Sequence, residues 1–339
     1  MPLSFKNMDG KEGIFHYPGR PFLALIERLD QAIEDRDIGT FSPADYLREL
    51  ELMITEEPTF IDAYAHIGNM YYEQGKPKKA LSFYLDGISV GRRCIPEGYK
   101  GLIEWGHLDN RPFLRALNGA MLSYVRLHQR KNAITLMEQL LAYDPDDHLG
   151  VRLLIASEYL RMNQRDLARH YLEREAPYYP PYWYELGLLY LEENDWVKAA
   201  TVLRKGFLKN PYIAERLCGH PDPMPLQLIH FRPFQDQDTA EFYVSTYGRL
   251  WHYLTSYLQF LHWLYHHSQV LAERATYRAC EEAISWETDG DERIATAHHA
   301  ETILNQIDDR SSEGFVRKMV DRHGRSVYPW LNRNEFSRY

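Results

Sequence analysis

Residues 180–211 read PPYWYELGLLYLEENDWVKAATVLRKGFLKNP. Counted from Pro180 as position 1, Trp183, Leu186, Gly187 and Tyr190 fall at positions 4, 7, 8 and 11, and Ala199, Leu203 and Pro211 at 20, 24 and 32. The first four share one face of a helix, because helical neighbours recur every three or four residues. Gly187 and Ala199 carry almost no side chain, so two helices meeting there can approach closely. Pro211 cannot continue a helix and marks the next connection. The stretch therefore predicts two antiparallel helices joined by a short turn.

The same template recurs upstream. From Ile61 it reads Tyr64, Ile67, Gly68, Tyr71, Gly75, Ala80, Tyr84 and Gly87; from Leu114, Leu117, Ala120, Tyr124, Ala133, Met137 and Pro145; from Leu149, Ile155, Ala156, Tyr159, Ala168, Leu172 and Pro180. Ala80, Ala133, Ala168 and Ala199 are separated by 53, 35 and 31 residues, which is a period near 34 with one insertion of 19. The pattern resembles the tetratricopeptide repeat (TPR), a 34-residue helix–turn–helix. An unrelated helical bundle has no reason to keep Gly/Ala, Tyr and Pro in one register four times. A weaker unit precedes these: Ser42-Pro43 reads as an N-cap with Pro at the first helical position, and Asp45 to Glu57 as a helix ending at Pro58. The expected fold is all-α, a TPR-like helical-hairpin solenoid followed by a C-terminal helical extension. Its expected divisions are an N-terminal segment with one helix over 1–41, the array over 42–217 with an inserted loop at about 89–113, an aromatic-rich helical extension over 218–309, and a basic tail over 310–339.

Composition narrows the function classes. The 339 residues carry 39 Lys and Arg against 48 Asp and Glu, a formal charge of −9, so the chain as a whole repels phosphate backbones. Hydrophobic residues make up 45%, enough for a core. Cys94, Cys218 and Cys280 are far apart, which excludes a disulfide framework or a Cys-rich zinc site and fits a reducing cytoplasm. Neither a signal-peptide run nor a membrane span is expected.

The insertion carries Ile95-Pro96-Glu97-Gly98-Tyr99 and then Trp105-Gly106-His107-Leu108-Asp109-Asn110-Arg111-Pro112-Phe113-Leu114-Arg115. Its Gly and Pro residues predict a structured loop, with Asp109 or Asn110 as N-cap of the next helix. This run, with Asn210-Pro211-Tyr212 near the end of the array, resembles the suppression-of-tumorigenicity family and its bacterial relatives over about residues 60–265. The resemblance implies a helical-repeat interaction protein and brings no catalytic residues. The membrane segments and Cys-rich metal-binding tail of some members have no counterpart here, so neither property is carried over. Trp105, Asn110 and Arg111 are read either as a recognition loop or as a plug in which Trp105 packs beneath and Asn110 and Arg111 bond loop carbonyls.

In TPR arrays the first helices of the pairs line a peptide groove. The groove positions collect Asn69, Tyr72, Arg115, Asn118, Arg126, Arg161 and Tyr184. Arginine forks bind carboxylates, so the expected partner is another protein or peptide with an acidic segment, unless these arginines pair with the chain's own acids.

After Tyr212, Pro221, Pro223, Pro225 and Pro233 mark an irregular connection, and a long aromatic-rich helical run is expected from about Thr239 to Trp286. His262 and His266 sit at i, i+4 without a third ligand, and no metal or cofactor is expected. Residues 281–309 hold nine acids and one base, whereas 310–339 hold seven bases and three acids. That tail, with Tyr328, Trp330 and Phe336, either docks on its own chain or serves as a basic aromatic arm for nucleic acid. Gly87-Ile88-Ser89-Val90-Gly91 fits the nucleophile elbow of hydrolases but falls in a predicted helix, without the strand-to-helix turn that chemistry requires. The reading that follows is a non-catalytic, cytoplasmic interaction scaffold or adaptor, with a nucleic-acid-associated regulator as the alternative.

Overall fold

The computed structural model describes residues 3–219, 233–321 and 323–331. The chain divides into two compact units, 1–158 and 159–339.

The first unit opens with a β-hairpin, β1 (Ser4–Met8) against β2 (Glu12–His16). Asp9 and Gly10 both have positive φ, 53° and 74°, the backbone of a tight primed hairpin turn. Helices α1 (Arg20–Asp37), α2 (Pro43–Glu56), α3 (Ile61–Glu73), α4 (Pro77–Cys94), α5 (Arg111–Arg126) and α6 (Arg130–Tyr143) follow. The N-cap expected at Ser42 is present, and the structure extends it to a capping box: Ser42 Oγ accepts from the Asp45 N–H, and the Asp45 carboxylate accepts from the Ser42 N–H. α3 packs on α4 and α5, and α4 on α5. α7 (Arg152–Arg161) crosses the division between the units.

The second unit contains α8 (Arg165–Glu175), α9 (Pro181–Glu192), α10 (Trp196–Lys209), α11 (Pro211–Leu217), α12 (Gln237–Tyr247), α13 (Thr255–Tyr265), α14 (Ser268–Trp286), α15 (Gly290–Asn305) and the short α16 (Asp309–Ser312). Residues 319–320 and 326–327 form a two-residue strand pair, β3 and β4. The long helix expected over 239–286 is instead three helices, broken at the 3₁₀ turn Gly248–His252 and at His266–His267. Most of the proline-rich connection lies outside the described residues, as do Phe336 and the bases Arg322, Arg333 and Arg338.

The repeat register is written in the turns. The second residue after the first helix of each pair takes a left-handed conformation at Gly75, His128, Asn163 and Asn194, with φ of 71°, 57°, 57° and 61°. These positions share the 53, 35 and 31 spacing of the four alanines. In each, the following N–H bonds back to a tyrosine carbonyl: Lys76 to Tyr71, Gln129 to Tyr124, Gln164 to Tyr159 at 2.9 Å, and Asp195 to Tyr190 at 2.8 Å. That is a Schellman termination, which satisfies carbonyls the helix end would leave open.

Close helix contact depends on the small residues. Tyr84 of α4 is buried between α3 and α5, and its hydroxyl donates to Asn69 Oδ1 at 2.5 Å. A Cβ on Gly68 would lie 2.5 Å from its ring, and one on Gly119 2.2 Å. Leu203 of α10 stands in the corresponding place over Gly187, where a Cβ would meet it at 2.6 Å. Gly119, which is not a template position of its own repeat, thus supplies the second close contact on the Tyr84 ring of the preceding pair.

The described part of the C-terminal segment docks on the second unit. Trp330 is fully buried, with ring centroids 5.0 Å from Trp196, 4.7 Å from Phe260 and 5.0 Å from Trp263, and Tyr328 stacks on it at 4.6 Å. Arg204 of α10 pairs with Glu273 of α14 and donates to Ser312 Oγ at 2.8 Å, tying three helices together.

Gly119→Ala is expected to destabilise the chain by about 1–3 kcal/mol, because the Tyr84 ring is held on its other side by Gly68 and has no room to withdraw. His128→Gly at the exposed left-handed turn should act in the opposite direction. Thermal unfolding of both variants checks the pair; a Gly119→Ala chain melting with the parent would contradict the packing described.

Candidate functional site

The inserted loop is built, not loose. Leu102 lies beside β2 as a partial third strand: the Gly13 N–H donates to the Leu102 carbonyl at 2.8 Å and the Leu102 N–H to the Lys11 carbonyl at 2.7 Å. The Ile103 N–H donates to the Tyr143 carbonyl at 2.9 Å, and the Trp105 N–H to Asp144 Oδ1 at 3.3 Å, so the loop is also fixed to the end of α6. Phe15, fully buried, joins Phe5 at 5.1 Å and Phe113 of α5 at 5.0 Å, while Phe5 meets Tyr99 of the loop at 5.2 Å.

Asn110 sits at the centre. Its Oδ1 accepts from the Phe15 N–H at 3.0 Å, and its Nδ2 donates to the Gly13 and Glu104 carbonyls, both at 3.1 Å. It is fully buried, and its side chain makes no capping bond to α5. Asn110 does hold the N-cap position of α5, as one of the two expected residues, but its amide is spent on the hairpin and the loop. Arg111 Nε donates to the Trp105 carbonyl at 3.1 Å, and the Arg111 and Arg115 guanidinium carbons lie 5.1 and 5.8 Å from the Trp105 ring. Asn110 and Arg111 thus bond carbonyls of the hairpin and the loop, and Trp105 is half-buried against the two guanidinium groups.

Next to it lies the face formed by α3 and α5. Arg115 Nη1 donates to both Asp62 carboxylate oxygens at 2.8 Å. These residues hold the same position in consecutive repeats, so their pairing was open to a comparison of equivalent positions. His66 shares its Nδ1 with the Tyr46 hydroxyl at 2.9 Å, and its Nε2 lies 3.8 Å from Asp62. Burial lowers the His66 pKa below its ordinary 6.5, with Asp62 opposing and Arg115 and Arg36 assisting. Further along, Arg126 is exposed, donates to the Tyr72 carbonyl at 2.8 Å and places its guanidinium carbon 3.8 Å from the Tyr72 ring centre. Asn69 is exposed and Asn118 half-buried on the same two helices.

Two predicted groove residues depart from this face. Arg161 belongs to the second unit, where its guanidinium covers the Tyr247 ring at 4.4 Å and contacts the Thr246 carbonyl. Tyr184 is fully buried, with its hydroxyl on the Asn210 carbonyl at 2.6 Å. It is core: α9 is enclosed by α10 and by the aromatic rings of Phe207 and Tyr243, 5.9 and 6.4 Å away. Ser89 of the Gly-x-Ser-x-Gly sequence is exposed in mid-helix on α4, with no strand leading into it.

A further group escaped the sequence reading. Glu12 of β2, Glu104 and His107 offer donor atoms that all lie within 4.8 Å of one another, and His107 Nε2 contacts Glu12 Oε1. Partial desolvation, and then the adjacent Glu12 carboxylate, raise the Glu104 pKa above the ordinary carboxylate value. No local spacing signals the group, because Glu12 precedes Glu104 by 92 residues.

The tetratricopeptide repeat family profile matches residues 61–90, the α3–α4 pair. Among solved structures, the MamA protein aligns at a TM-score of 0.43 and 14% identity over 59% of this chain and 96% of its own. YrrB, described as a TPR protein with an unusual peptide-binding site, aligns at 0.43 and 14% over 56% and 91%. No curated protein matches. The hairpin pairs, their repeated turns and the profile match define an all-α helical-repeat protein of TPR-like class. Among the described residues, no helix is long and apolar enough to cross a membrane.

Because the His66 pKa is lower in the folded chain, the unfolded chain binds the proton more readily. The contribution is present above about pH 6.5 and is lost as pH falls toward the folded value. Urea unfolding should therefore show stability declining on acidification from about pH 7.5 to 5.5, with a shallower decline in His66→Gln. Identical slopes in the two proteins would remove His66 from the account.

Proposed function

We propose that the chain is a non-catalytic scaffold that holds a segment of a partner protein against the α3–α5 face of its first unit. The observation that carries this is the row Asn69, Tyr72, Asn118 and Arg126 on adjacent first helices, at the helix positions where TPR-like folds present their groove. A carboxamide can pair with a peptide backbone through both its donor and its acceptor. Asn69 Oδ1 is engaged by Tyr84, which leaves its N–H groups for a partner carbonyl. Arg126 lies over the Tyr72 ring and is exposed, and its guanidinium is suited to a carboxylate or a carbonyl. Arg115 is already neutralised by Asp62, so the acidic preference of the partner rests on Arg126, not on three arginines. Cytoplasmic residence and kinship with the suppression-of-tumorigenicity family belong to the same proposal, the second supported by the Trp105 to Leu114 run. Nucleic-acid binding by the tail is not favoured, since Tyr328 and Trp330 are stacked on the chain's own core.

Affinity capture from the native host, with mass spectrometry, tests the proposal. A chain carrying Asn69→Ala, Asn118→Ala and Arg126→Ala should retain its fold and lose its specific partner about tenfold or more. Capture equal to the parent would move the site to another surface.

A further inference from the structure

We propose that Glu12, Glu104 and His107 form a site for one first-row divalent cation, which fastens the N-terminal hairpin to the inserted loop. The inference is independent of the partner-binding face. One ligand atom from each side chain lies within 4.8 Å of the others, close enough to converge on a single ion with small side-chain adjustments. The set is mixed: two carboxylates and one imidazole. Oxygen-only sites suit Mg²⁺ and Ca²⁺, whereas an imidazole with two carboxylates suits Mn²⁺, Fe²⁺, Co²⁺ or Zn²⁺ and leaves coordination positions for water.

The backbone beneath the three ligands is fixed before any ion arrives. Glu12 lies between two residues bonded to Leu102, Lys11 at 2.7 Å and Gly13 at 2.8 Å. The buried Asn110 amide holds the carbonyls of Gly13 and of Glu104 itself. The His107 N–H returns to the Glu104 carbonyl at 3.3 Å, and the Asn110 N–H to the His107 carbonyl at 3.0 Å. One buried side chain thus organises the segments that carry all three donors, which is the positioning that a ligand set requires from its surroundings. The side chains themselves are reachable: Glu12 is 33% and His107 38% exposed. Two carboxylates gathered with one imidazole favour a dication at this point. Because the donors come from both the hairpin and the loop, the ion stabilises the pair of segments together.

The test uses the full chain without any affinity tag, stripped with chelator and titrated with Co²⁺, Zn²⁺ and Mg²⁺ by calorimetry. One equivalent of Co²⁺ or Zn²⁺ should bind in preference to Mg²⁺ and raise the melting temperature. Glu104→Gln and His107→Gln, both at solvent-accessible positions, should each weaken binding about tenfold or more and remove the thermal shift. In the unaltered chain, Mn²⁺ should broaden first the amide resonances around residues 12, 104 and 107, a readout that needs no variant. Absence of binding overturns the proposal. So does binding unchanged in both variants, which would place the ion on other histidines, and so does equal affinity for Mg²⁺, which would mark diffuse attraction to acids.

Discussion

The three hydrogen bonds of Asn110 decide what the first unit presents. Its fully buried carboxamide links strand β2 to the Trp105 loop at the entry to α5. Removing it would take that partner from the Phe15 N–H and the Gly13 carbonyl in a buried setting, where an unmet polar group costs about 1–3 kcal/mol. Its partners Phe15 and Glu104 lie 95 and 6 residues away from Asn110, so one amide joins the hairpin to the loop. The rings of Phe5, Phe15, Tyr99 and Phe113 then close around the junction, so the polar bonds are shielded by apolar burial.

That cap stands on the packing of the repeats. Tyr84 lies between Gly68 and Gly119 and therefore sets the approach of α4 to both α3 and α5. Its hydroxyl positions Asn69, one of the exposed amides on the proposed partner face. The same ring thus serves packing and display. The Asp62–Arg115 pair joins equivalent positions of adjacent repeats beside the Trp105 loop, and both arginines near Trp105 are committed to the chain itself. The proposed partner face therefore offers a row of amides and one stacked guanidinium, which suits the reading of a peptide backbone more than the attraction of dense charge.

Much of the array was legible because each repeat restates its neighbour. The four alanines and the tyrosine two residues before the end of each first helix follow from a period near 34, glycine stands at position 8 in two of the four repeats, and the Schellman turns keep the same spacing. The hairpin was passed over although Asp9-Gly10 is a hairpin turn sequence, because its strands are five residues long and contribute little periodic signal. Tyr184 was assigned to the groove on register alone; register cannot show that α10 and the helices after Tyr212 enclose that helix. The Trp105, Asn110 and Arg111 trio could be read as either anchors or recognition residues, since the choice depends on where the hairpin folds back. The Glu12, Glu104 and His107 group was hidden for the same reason: it exists only once residues 12 and 104 become neighbours.

The central claim is that hairpin and inserted loop form one cooperative piece held by Asn110. Amide hydrogen exchange of the Asn110→Ala chain, followed by mass spectrometry, tests it most directly. Peptides covering residues 4–16 and 99–110 should lose protection together and to a similar extent, while those from α9 and α10 exchange as in the parent. Loss of protection in only one of the two segments, or in neither, would contradict the claim.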